Sequence, residues 1–273
     1  MTDYARPDDP ILEPAMWQLY RSFFAQSERR RRWSIDKDIP WDKCNQSLNP
    51  VIADVIESFC VVELYLPDYL VHAMPWSRPS RARTWFYANW GYEESKHSLA
   101  LNDWLLRSGQ RSEERMADLE STIFQHPWQL PHDNVVAMLT YAMVQERATA
   151  LNYRNLRRRT QDLGGDPALE QLLRFLAVDE QTHHSFFRDA VRLYLALDRD
   201  STLEQLRRVM NSFAMPAICG LADGRQRVAR IKELEIFDEM AYHREVYLPI
   251  LGDLGVQRSE MRNRLSSKKS LAS

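Results

Sequence analysis

Cysteine and glycine are scarce in this sequence, and each shortage excludes a class of protein. The 273 residues contain three cysteines, Cys44, Cys60 and Cys219, at wide and unrelated spacings. An odd and scattered set argues against a disulfide framework and favours a reducing compartment. Only 8 glycines and 13 prolines are spread over the chain, and they form no strong interdomain linker. We therefore predict a single domain over residues 1–273, with loose tails at 1–10 and 258–273.

Long apolar runs and an excess of charge of one sign are also missing. No stretch reaches the roughly 18 apolar residues that cross a bilayer, and residues 1–10 are acidic and polar, unlike a secretory signal. Lys and Arg number 36 and Asp and Glu 38, so the net charge of -2 gives no overall attraction to nucleic acid. We expect a cytoplasmic protein with no membrane insertion and no nucleic-acid partner.

Strand patterns are absent too, because no long segment alternates with a period of two. Apolar residues instead recur at helical spacing, which predicts an all-α fold. Leu66-Pro67 is expected to kink the second helix one turn after Glu63. The predicted helices cover 11–32, 50 to about 75, 81–108, 134–163, 167–197, 203–213 and 223–251, with one shorter helix between 110 and 133 and an extended connection over 33–49.

Two of the predicted helices carry the same Glu-x-x-His pattern, Glu94 with His97 and Glu180 with His183. Residues at positions i and i+3 lie on one side of a helix, so the carboxylate and the imidazole of each pattern can bind one metal ion together. His184 is also within reach of Glu180. We prefer His183 because it repeats the spacing of the first pattern.

Two further predicted helices each carry one glutamate among apolar residues. Glu63 lies 31 residues before Glu94, and Glu146 lies 34 residues before Glu180. Paired in this way, the four helices match the dinuclear iron or manganese site of a ferritin-like four-helix bundle. We therefore predict an all-α, ferritin-like four-helix bundle core with additional helices. The predicted metal ligands are Glu63, Glu94, His97, Glu146, Glu180 and His183.

Charge balance supports this prediction, because isolated carboxylates are costly to bury. Two divalent cations neutralise four glutamates, and the two imidazoles bind as neutral ligands. Carboxylate and imidazole together favour two iron ions, with manganese as the alternative. Glu93 and Asp179 each precede a predicted ligand. They are either acceptors for the outer ring N–H of the opposite histidine or solvated surface acids.

The strings around these residues resemble those of the soluble acyl-acyl-carrier-protein desaturases. The likeness runs from about Trp33 to Pro216, and Gln145-Glu146-Arg147-Ala148-Thr149 discriminates best, because other ferritin-like proteins share the ligands without it. The further matching strings are Glu93 to His97, Asp179 to His183, Leu66-Pro67-x-Tyr69 after Glu63, Met215-Pro216-Ala217, and Trp33 seven residues before Pro40.

The resemblance implies a homodimeric diiron enzyme that takes electrons from ferredoxin and uses O2 as co-substrate to introduce a double bond into an acyl chain on acyl carrier protein. It implies that the six predicted ligands bind iron, that Thr149 lies beside the O2 side of the cluster, and that Trp33, Asp179 and His97 form the electron route. From the residues alone, Thr149 satisfying a backbone carbonyl and Trp33 anchoring the core are the alternatives.

Departures from the family pattern leave the substrate open. The chain is shorter than the plant enzymes, Ala214 precedes the Met-Pro-Ala string where they have Ser, and Met138 replaces a Gly near their substrate channel. Acyl length, double-bond position, and desaturation versus hydroxylation are therefore undecided. The alternatives are a diiron hydroxylase or oxidase of a non-lipid metabolite and a ferritin-like iron-handling protein.

Two basic clusters are candidate docking sites for acyl carrier protein, which is acidic. One consists of Arg154, Arg157, Arg158 and Arg159, and the other of the run from Arg29 to Arg32. The alternative for the first cluster is that its cations offset the dipole at the end of their helix and stay solvated.

Overall fold

The computed structural model describes residues 9–129, 132–214, 218 and 221–262. These residues form helices and, within the described ranges, no strands, so the all-α prediction is confirmed. Short π-helical turns at Ser27–Arg31 and Tyr242–Tyr247 and a 3-10 turn at Trp41–Lys43 complete the regular structure. The helices are α1 (Asp9–Gln26), α2 (Ile35–Asp38), α3 (Pro50–Leu64), α4 (Leu66–Ser77), α5 (Arg81–Arg107), α6 (Glu113–Gln125), α7 (Val135–Asp162), α8 (Pro167–Leu197), α9 (Arg199–Asn211), α10 (Gly224–Glu233), α11 (Glu239–Ala241) and α12 (Leu248–Leu254).

Side-chain caps fix the start of each long helix. The side chains of Asn49, Ser80, Asn134 and Asp166 each accept a hydrogen bond from a backbone N–H in the first turn of α3, α5, α7 and α8. Such caps satisfy donors that the helix itself cannot pair. The predicted kink after Glu63 is present as a break between α3 and α4.

The bundle core consists of α3, α5, α7 and α8. α7 packs along α8 and α3 along α5, while α1 lies across α5 and α8. The apolar core forms two large clusters, one built from α1, α9, α12 and the first half of α5, the other from α3, α6, α10 and the second half of α5. In α8 the polar stretch from Asp179 to His184 lies between the residues of the two clusters. The bundle therefore encloses a polar layer between two apolar regions.

The prediction of one continuous final helix over 223–251 is wrong. It breaks after α10, and Glu235 lies in the left-handed region of the backbone with a φ of 50°. Such a conformation ends a helix. The connection over 33–49 is also not fully extended, because it contains α2 and a 3-10 turn.

Residues 258–262, predicted to belong to a loose tail, contact the body of the protein. Met261 is 4% exposed, and Glu260 pairs with Arg199 at 2.9 Å. These contacts tie the segment up to residue 262 to the start of α9. The rest of that tail, residues 1–8, the Met215-Pro216-Ala217 string and Cys219 lie outside the described residues.

Within the described ranges, no helix combines the length and the apolar character that a bilayer span requires. Cys44 and Cys60 are free thiols. The single-domain boundary stays a prediction.

Candidate dinuclear metal centre

The six predicted ligands meet in the polar layer of the bundle, and all are buried. Their ligand atoms form two groups, within each of which the atoms lie within 4.8 Å of one another. Glu94 and Glu180 belong to both groups, so they occupy the positions of carboxylates shared by two ions. The first group adds Glu63 and His97, and the second adds Glu146 and His183.

Both histidines turn the same ring nitrogen, Nδ1, toward the glutamates. His97 Nδ1 lies 3.3 Å from Glu180 Oε1 and 3.5 Å from Glu94 Oε2. His183 Nδ1 lies 2.9 Å from Glu94 Oε1 and 3.3 Å from Glu146 Oε2. Each imidazole therefore contacts a carboxylate from the other Glu-x-x-His helix. This contact joins α5 to α8.

The donor set fits two divalent cations. Among the described residues, Glu94 Oε1 and His97 Nδ1 are buried and face the cluster, and their close contacts with His183 and Glu180 do not have the geometry of a hydrogen bond. Burial, followed by repulsion from the neighbouring carboxylates, raises the pKa of Glu63 and of Glu146 well above the ordinary value. Crowded carboxylates with unsatisfied atoms are stabilised by cations. Oxygen and imidazole ligands suit iron or manganese.

The outer nitrogens of the two histidines contact acids on the opposite helix, which is one of the two alternatives that the sequence left open for Glu93 and Asp179. His183 Nε2 lies 2.7 Å from Glu93 Oε2, and His97 Nε2 lies 3.5 Å from Asp179 Oδ2. Burial alone raises the pKa of each acid, but the bonds to histidine lower it below the ordinary value. Both acids are thus held as carboxylates. Such partners fix the ring orientation of metal-binding histidines.

One arginine contacts both of these acids, and sequence reasoning did not identify it. Arg31 Nη1 donates to Asp179 Oδ1 at 2.8 Å, and Nη2 lies 3.4 Å from Glu93 Oε2. The Arg31 side chain is only 7% exposed. The run from Arg29 to Arg32, predicted as a surface cluster, therefore has one member turned inward by the π-helical turn.

Trp33 lies in a chain of contacts that ends at His97. Its Nε1–H donates to Asp179 Oδ2 at 2.7 Å, and its ring stacks on Phe175 with centroids 5.1 Å apart and an angle of 4°. Lys96 Nζ lies 3.9 Å from the centroid of the same ring and donates to the Trp33 carbonyl. The structure brings together Trp33, Asp179 and His97. Whether electrons use this path stays a prediction.

The two remaining glutamates have donors that sequence reasoning missed. The Tyr153 hydroxyl donates to Glu63 Oε1, and Trp90 Nε1–H donates to Glu146 Oε1 at 3.1 Å. Tyr153 stands seven residues after Glu146 on the same helix, a spacing that places it on a similar face. That spacing is the signal that could have identified it.

Thr149 and His184 make contacts that point away from the cluster. Thr149 Oγ1 donates to the Gln145 carbonyl at 3.0 Å, which is the backbone contact considered as the alternative. His184 Nδ1 lies 2.8 Å from the Met143 carbonyl oxygen, so His183 is the histidine that faces the glutamates. Burial lowers the pKa of His184 to about 4.

A sequence model of the family described as fatty acid desaturase matches residues 50–254. The chain belongs to this family. The matched range contains all six candidate ligands but neither Trp33 nor Arg31.

Two curated relatives show how far the sequence likeness extends. An assigned acyl-acyl-carrier-protein desaturase of Mycobacterium tuberculosis (strain H37Rv), DesA1, is 26% identical over 220 residues, which cover 77% of this chain and 63% of the relative. Acyl-acyl-carrier-protein desaturase 7 of Oryza sativa subsp. japonica is 31% identical over 142 residues, which cover 50% of this chain and 34% of the relative. The matches thus span less than two thirds of either relative.

Two solved structures share the fold. DesA2 from Mycobacterium tuberculosis H37Rv, a protein assigned to the acyl-ACP desaturases, superposes with a TM-score of 0.66 at 20% identity, covering 90% of this chain and 93% of that one. A variant of an R2-like ligand-binding oxidase with a reconstituted Mn/Fe cofactor gives a TM-score of 0.61 at 16% identity, covering 94% and 96%. These likenesses confirm the ferritin-like helical bundle.

This member of the fatty acid desaturase family has an apolar cavity of about 40 Å³ beside one half of its cluster. Glu146, Gln145 and Met138 are among its lining residues. Most other lining side chains are aromatic or aliphatic. They are Tyr69, Ala73, Tyr87, Trp90, Trp128, Tyr141, Ala142 and Phe187.

Proposed function

We propose that this chain is an O2-dependent diiron oxidoreductase that introduces a double bond into an acyl chain carried on acyl carrier protein. The observation that carries the proposal is the cluster of four glutamates and two histidines with an apolar cavity directly beside Glu146. Family membership supports the reaction class. The proposal that acyl carrier protein carries the chain rests on the similarity to relatives named acyl-acyl-carrier-protein desaturases.

In the proposed enzyme, Glu94 and Glu180 would be available to both ions, because each belongs to both ligand groups. Glu63 and His97 would complete one site, and Glu146 and His183 would complete the other. When bound, the iron pair supplies O2 activation and the oxidising power for removing hydrogen from carbon. Glu93 and Asp179 orient the histidines through their outer nitrogens.

The apolar cavity determines how the substrate meets the cluster. Alkyl carbons gain free energy when they leave water for apolar walls, so the acyl chain lies against the aromatic side chains. Because Glu146 lines the cavity, we expect the reacting carbons to lie on the side of the Glu146 and His183 half. No acidic or basic lining residue other than Glu146 is found among the described residues of this cavity.

The cavity is small, and its size predicts the position of the double bond. A volume of about 40 Å³ is room for roughly three or four waters at 10–15 Å³ each. Few carbons can therefore extend past the cluster. We expect the bond to form close to the methyl end of the chain, with Met138 filling the space that a smaller residue would leave.

Reduction of the iron pair is proposed to run through Trp33, Asp179 and His97, with ferredoxin as donor. The supporting contacts are the 2.7 Å bond from Trp33 Nε1–H to Asp179 and the 3.5 Å approach of Asp179 to His97. Thr149 is proposed to lie near the O2 side of the cluster. Its hydroxyl reaches that side only if it leaves the Gln145 carbonyl.

A homodimer is proposed on the basis of an exposed apolar stripe on α5. Trp85, Tyr92 and Leu99 are 49%, 53% and 56% exposed and recur every seven residues. A seven-residue spacing keeps side chains on one face of a helix, and exposed large apolar residues on one face mark protein contacts. A cytoplasmic location stays a prediction.

The small cavity also favours a second candidate function. A diiron hydroxylase or oxidase of a compact metabolite has no long chain to accommodate, and the aromatic walls suit a ring as well as an alkyl group. The two candidates differ in the product, because desaturation removes two hydrogens and hydroxylation adds one oxygen.

The test is a product screen with the iron-loaded protein. Ferredoxin, its reductase, NADPH and O2 are supplied with acyl carrier protein thioesters of graded length, and products are analysed by mass spectrometry. Loss of two hydrogens near the methyl end of one chain length is the expected result. Gain of one oxygen assigns a hydroxylase instead. No product on any chain, from protein shown to hold two irons, contradicts the acyl-chain proposal.

A further inference from the structure

The two acids behind the histidines are exchanged between the helices that carry the ligands. Glu93 belongs to α5, but its carboxylate contacts His183 of α8 at 2.7 Å. Asp179 belongs to α8, and its carboxylate approaches His97 of α5 at 3.5 Å. Each acid therefore orients the histidine of the opposite helix, so the position of both rings depends on how the two acids are held.

A single guanidinium group contacts both acids. Arg31 Nη1 donates to Asp179 Oδ1 at 2.8 Å, and Arg31 Nη2 lies 3.4 Å from each carboxylate oxygen of Glu93. The donors of a guanidinium group lie in one rigid plane, so one arginine can hold two carboxylates in a fixed arrangement. Arg31 lies in the π-helical turn after α1, outside the four helices of the bundle core.

The Arg31 side chain is itself held in place by its own segment. Its Nη2 also donates to the hydroxyl of Ser27, four residues earlier, and its guanidinium carbon lies 5.2 Å from the centroid of the Phe23 ring. Phe23 is buried, and its ring centroid lies 6.2 Å from that of His183. Packing therefore fixes the guanidinium group beside the metal centre.

The bridge also meets an electrostatic need. Glu93 and Asp179 are only 4% and 3% exposed, and buried carboxylates are costly without a partner of opposite charge. Two other cations lie nearby but have different partners. Arg32 reaches Glu93 at 3.5 Å, yet it is 32% exposed and pairs with Glu28, and Lys96 donates to the Trp33 carbonyl.

We propose that Arg31 is a positioning residue that controls metal binding in both halves of the centre. It sets the arrangement of Glu93 and Asp179, and through these acids it fixes the two histidine rings together. One side chain that is not a ligand thereby acts on both ions, whereas each acid acts on one. The inference rests on the metal centre of the proposed function and is independent of the acyl substrate.

The experiment titrates metal-free protein with ferrous iron in the absence of O2. Calorimetry gives the affinities of the two ions, and Mössbauer spectra of the loaded protein report the surroundings of each ion. We expect Arg31→Ala to lower both affinities by about 10-fold, within the range for losing the partner of a metal-binding histidine. Both spectral components should change. Glu93→Gln and Asp179→Asn should each change one component.

The matched control is Arg30→Ala, which removes the same charge from the neighbouring, exposed position. We expect it to change either affinity by less than about 2-fold, because a solvated charge contributes little. Circular dichroism of the metal-free variants checks that the helices are kept.

Two further measurements separate positioning from simple support of the fold. Guanidinium ions at millimolar concentration should restore iron affinity to Arg31→Ala, whereas sodium chloride at the same concentration should not. Arg31→Lys keeps the charge but not the planar set of donors, so it should restore at most one of the two ions.

A double-mutant cycle tests whether Arg31 acts through the two acids. In the background Glu93→Gln/Asp179→Asn, Arg31→Ala should change iron affinity by less than about 2-fold, because the groups that it positions are already altered. An undiminished loss in that background would overturn the inference, since Arg31 would then act by packing alone. Loss of affinity for only one ion in Arg31→Ala, or an equal loss in Arg30→Ala, would also overturn it.

The measurements distinguish this inference from the proposed function. Neither O2 nor an acyl chain takes part, so a product screen without product leaves the role of Arg31 intact. Wild-type protein that binds no iron would overturn both. Wild-type protein that binds two irons, together with an Arg31→Ala variant of unchanged affinity, would overturn the role of Arg31 alone.

Discussion

The two halves of the metal centre have the same ligands but different surroundings. In the first half, Glu63 bonds the Tyr153 hydroxyl, and His97 approaches Asp179. Asp179 in turn accepts from Trp33.

The second half has Trp90 as the donor to Glu146 and Glu93 as the partner of His183. Glu146 lines the apolar cavity, whereas Glu63 does not. Glu93 is the acid behind the histidine of this second half. Its described hydrogen bonds are with Arg31 and His183, and none is with a tryptophan that leads toward the surface.

This difference assigns the two proposed tasks to opposite sides. The half with His97 is connected to Trp33 through Asp179, and the half with Glu146 borders the proposed substrate cavity. Separate access keeps the reductant away from the acyl chain. Arg31 is the one described side chain that contacts the acids of both halves.

The largest expected effect comes from removing a shared ligand. Glu94→Gln weakens binding at both halves, because Glu94 belongs to both ligand groups, whereas Glu63→Gln affects the first half alone. We expect loss of affinity by more than about 100-fold for both ions in the first variant, since changes to outer partners alone cost about 10–100-fold. Elemental analysis after gel filtration should find near zero iron in Glu94→Gln and about one iron in Glu63→Gln.

The exposed Glu120→Gln serves as control and should keep two irons. Equal metal content in Glu94→Gln and Glu63→Gln would show that the halves do not share Glu94.

The acids behind the two histidines should differ in their effect on reduction. Asp179→Asn removes the carboxylate between Trp33 and His97, and we expect reduction by ferredoxin to slow by about 10–100-fold. Glu93→Gln leaves the Trp33 contact intact and should slow it much less, while it weakens metal binding at His183. Stopped-flow reduction rates check this prediction. A larger effect of Glu93→Gln on the reduction rate would mean that the electron route passes through the half with His183 and not through the half with His97.

Metal binding should release protons and strengthen as the pH rises. Burial and neighbouring carboxylates raise the pKa of Glu63 and Glu146, so both are protonated in the metal-free protein over a range where an exposed glutamate is ionised. A cation displaces these protons. In the metal-free protein, the same groups contribute stability at low pH that is lost as the pH rises through their raised pKa values.

Calorimetry in buffers of different ionisation enthalpy counts the protons released. We expect iron binding to release fewer protons from Glu63→Gln and from Glu146→Gln than from wild type. Iron affinity that falls between pH 6 and pH 8 would contradict the assignment.

The smallest effects are expected from the donors to the outer glutamates. Tyr153→Phe leaves Glu63 Oε1 without its hydroxyl partner, and Trp90→Phe does the same to Glu146 Oε1. We expect each variant to weaken iron binding at its own half by about 10-fold. This is the lower end of the range for removing a hydrogen-bond partner of a metal ligand. Anaerobic ferrous titration measures both.

Tyr87→Phe is the matched control, because the Tyr87 hydroxyl is buried and has no hydrogen-bond partner among the described residues. An equal loss of affinity in Tyr87→Phe would mean that packing, and not the bond to the carboxylate, produces the effect.

Local pattern by itself was enough for the four bundle helices and for the ligands that face inward. The Glu-x-x-His spacing places Glu94 beside His97 and Glu180 beside His183 whatever the rest of the fold does, because it follows from the turn of one helix. Capping residues such as Asn134 and Asp166 mark where helices begin for the same local reason. For Glu93 and Asp179 the sequence left two alternatives open, and the structure shows the contact with histidine.

Only the tertiary structure decided which side chains stand behind the ligands. Arg31 meets Asp179 across 148 positions of the chain, and Trp33 meets it across 146. Arg31 lies in the π-helical turn after α1 and Trp33 in the connection that follows, so their contacts with Asp179 depend on how this segment packs against α8. The inward turn of one arginine in a run of four and the bond from Trp90 to Glu146 also depend on how the helices pack, and no local pattern encodes that packing.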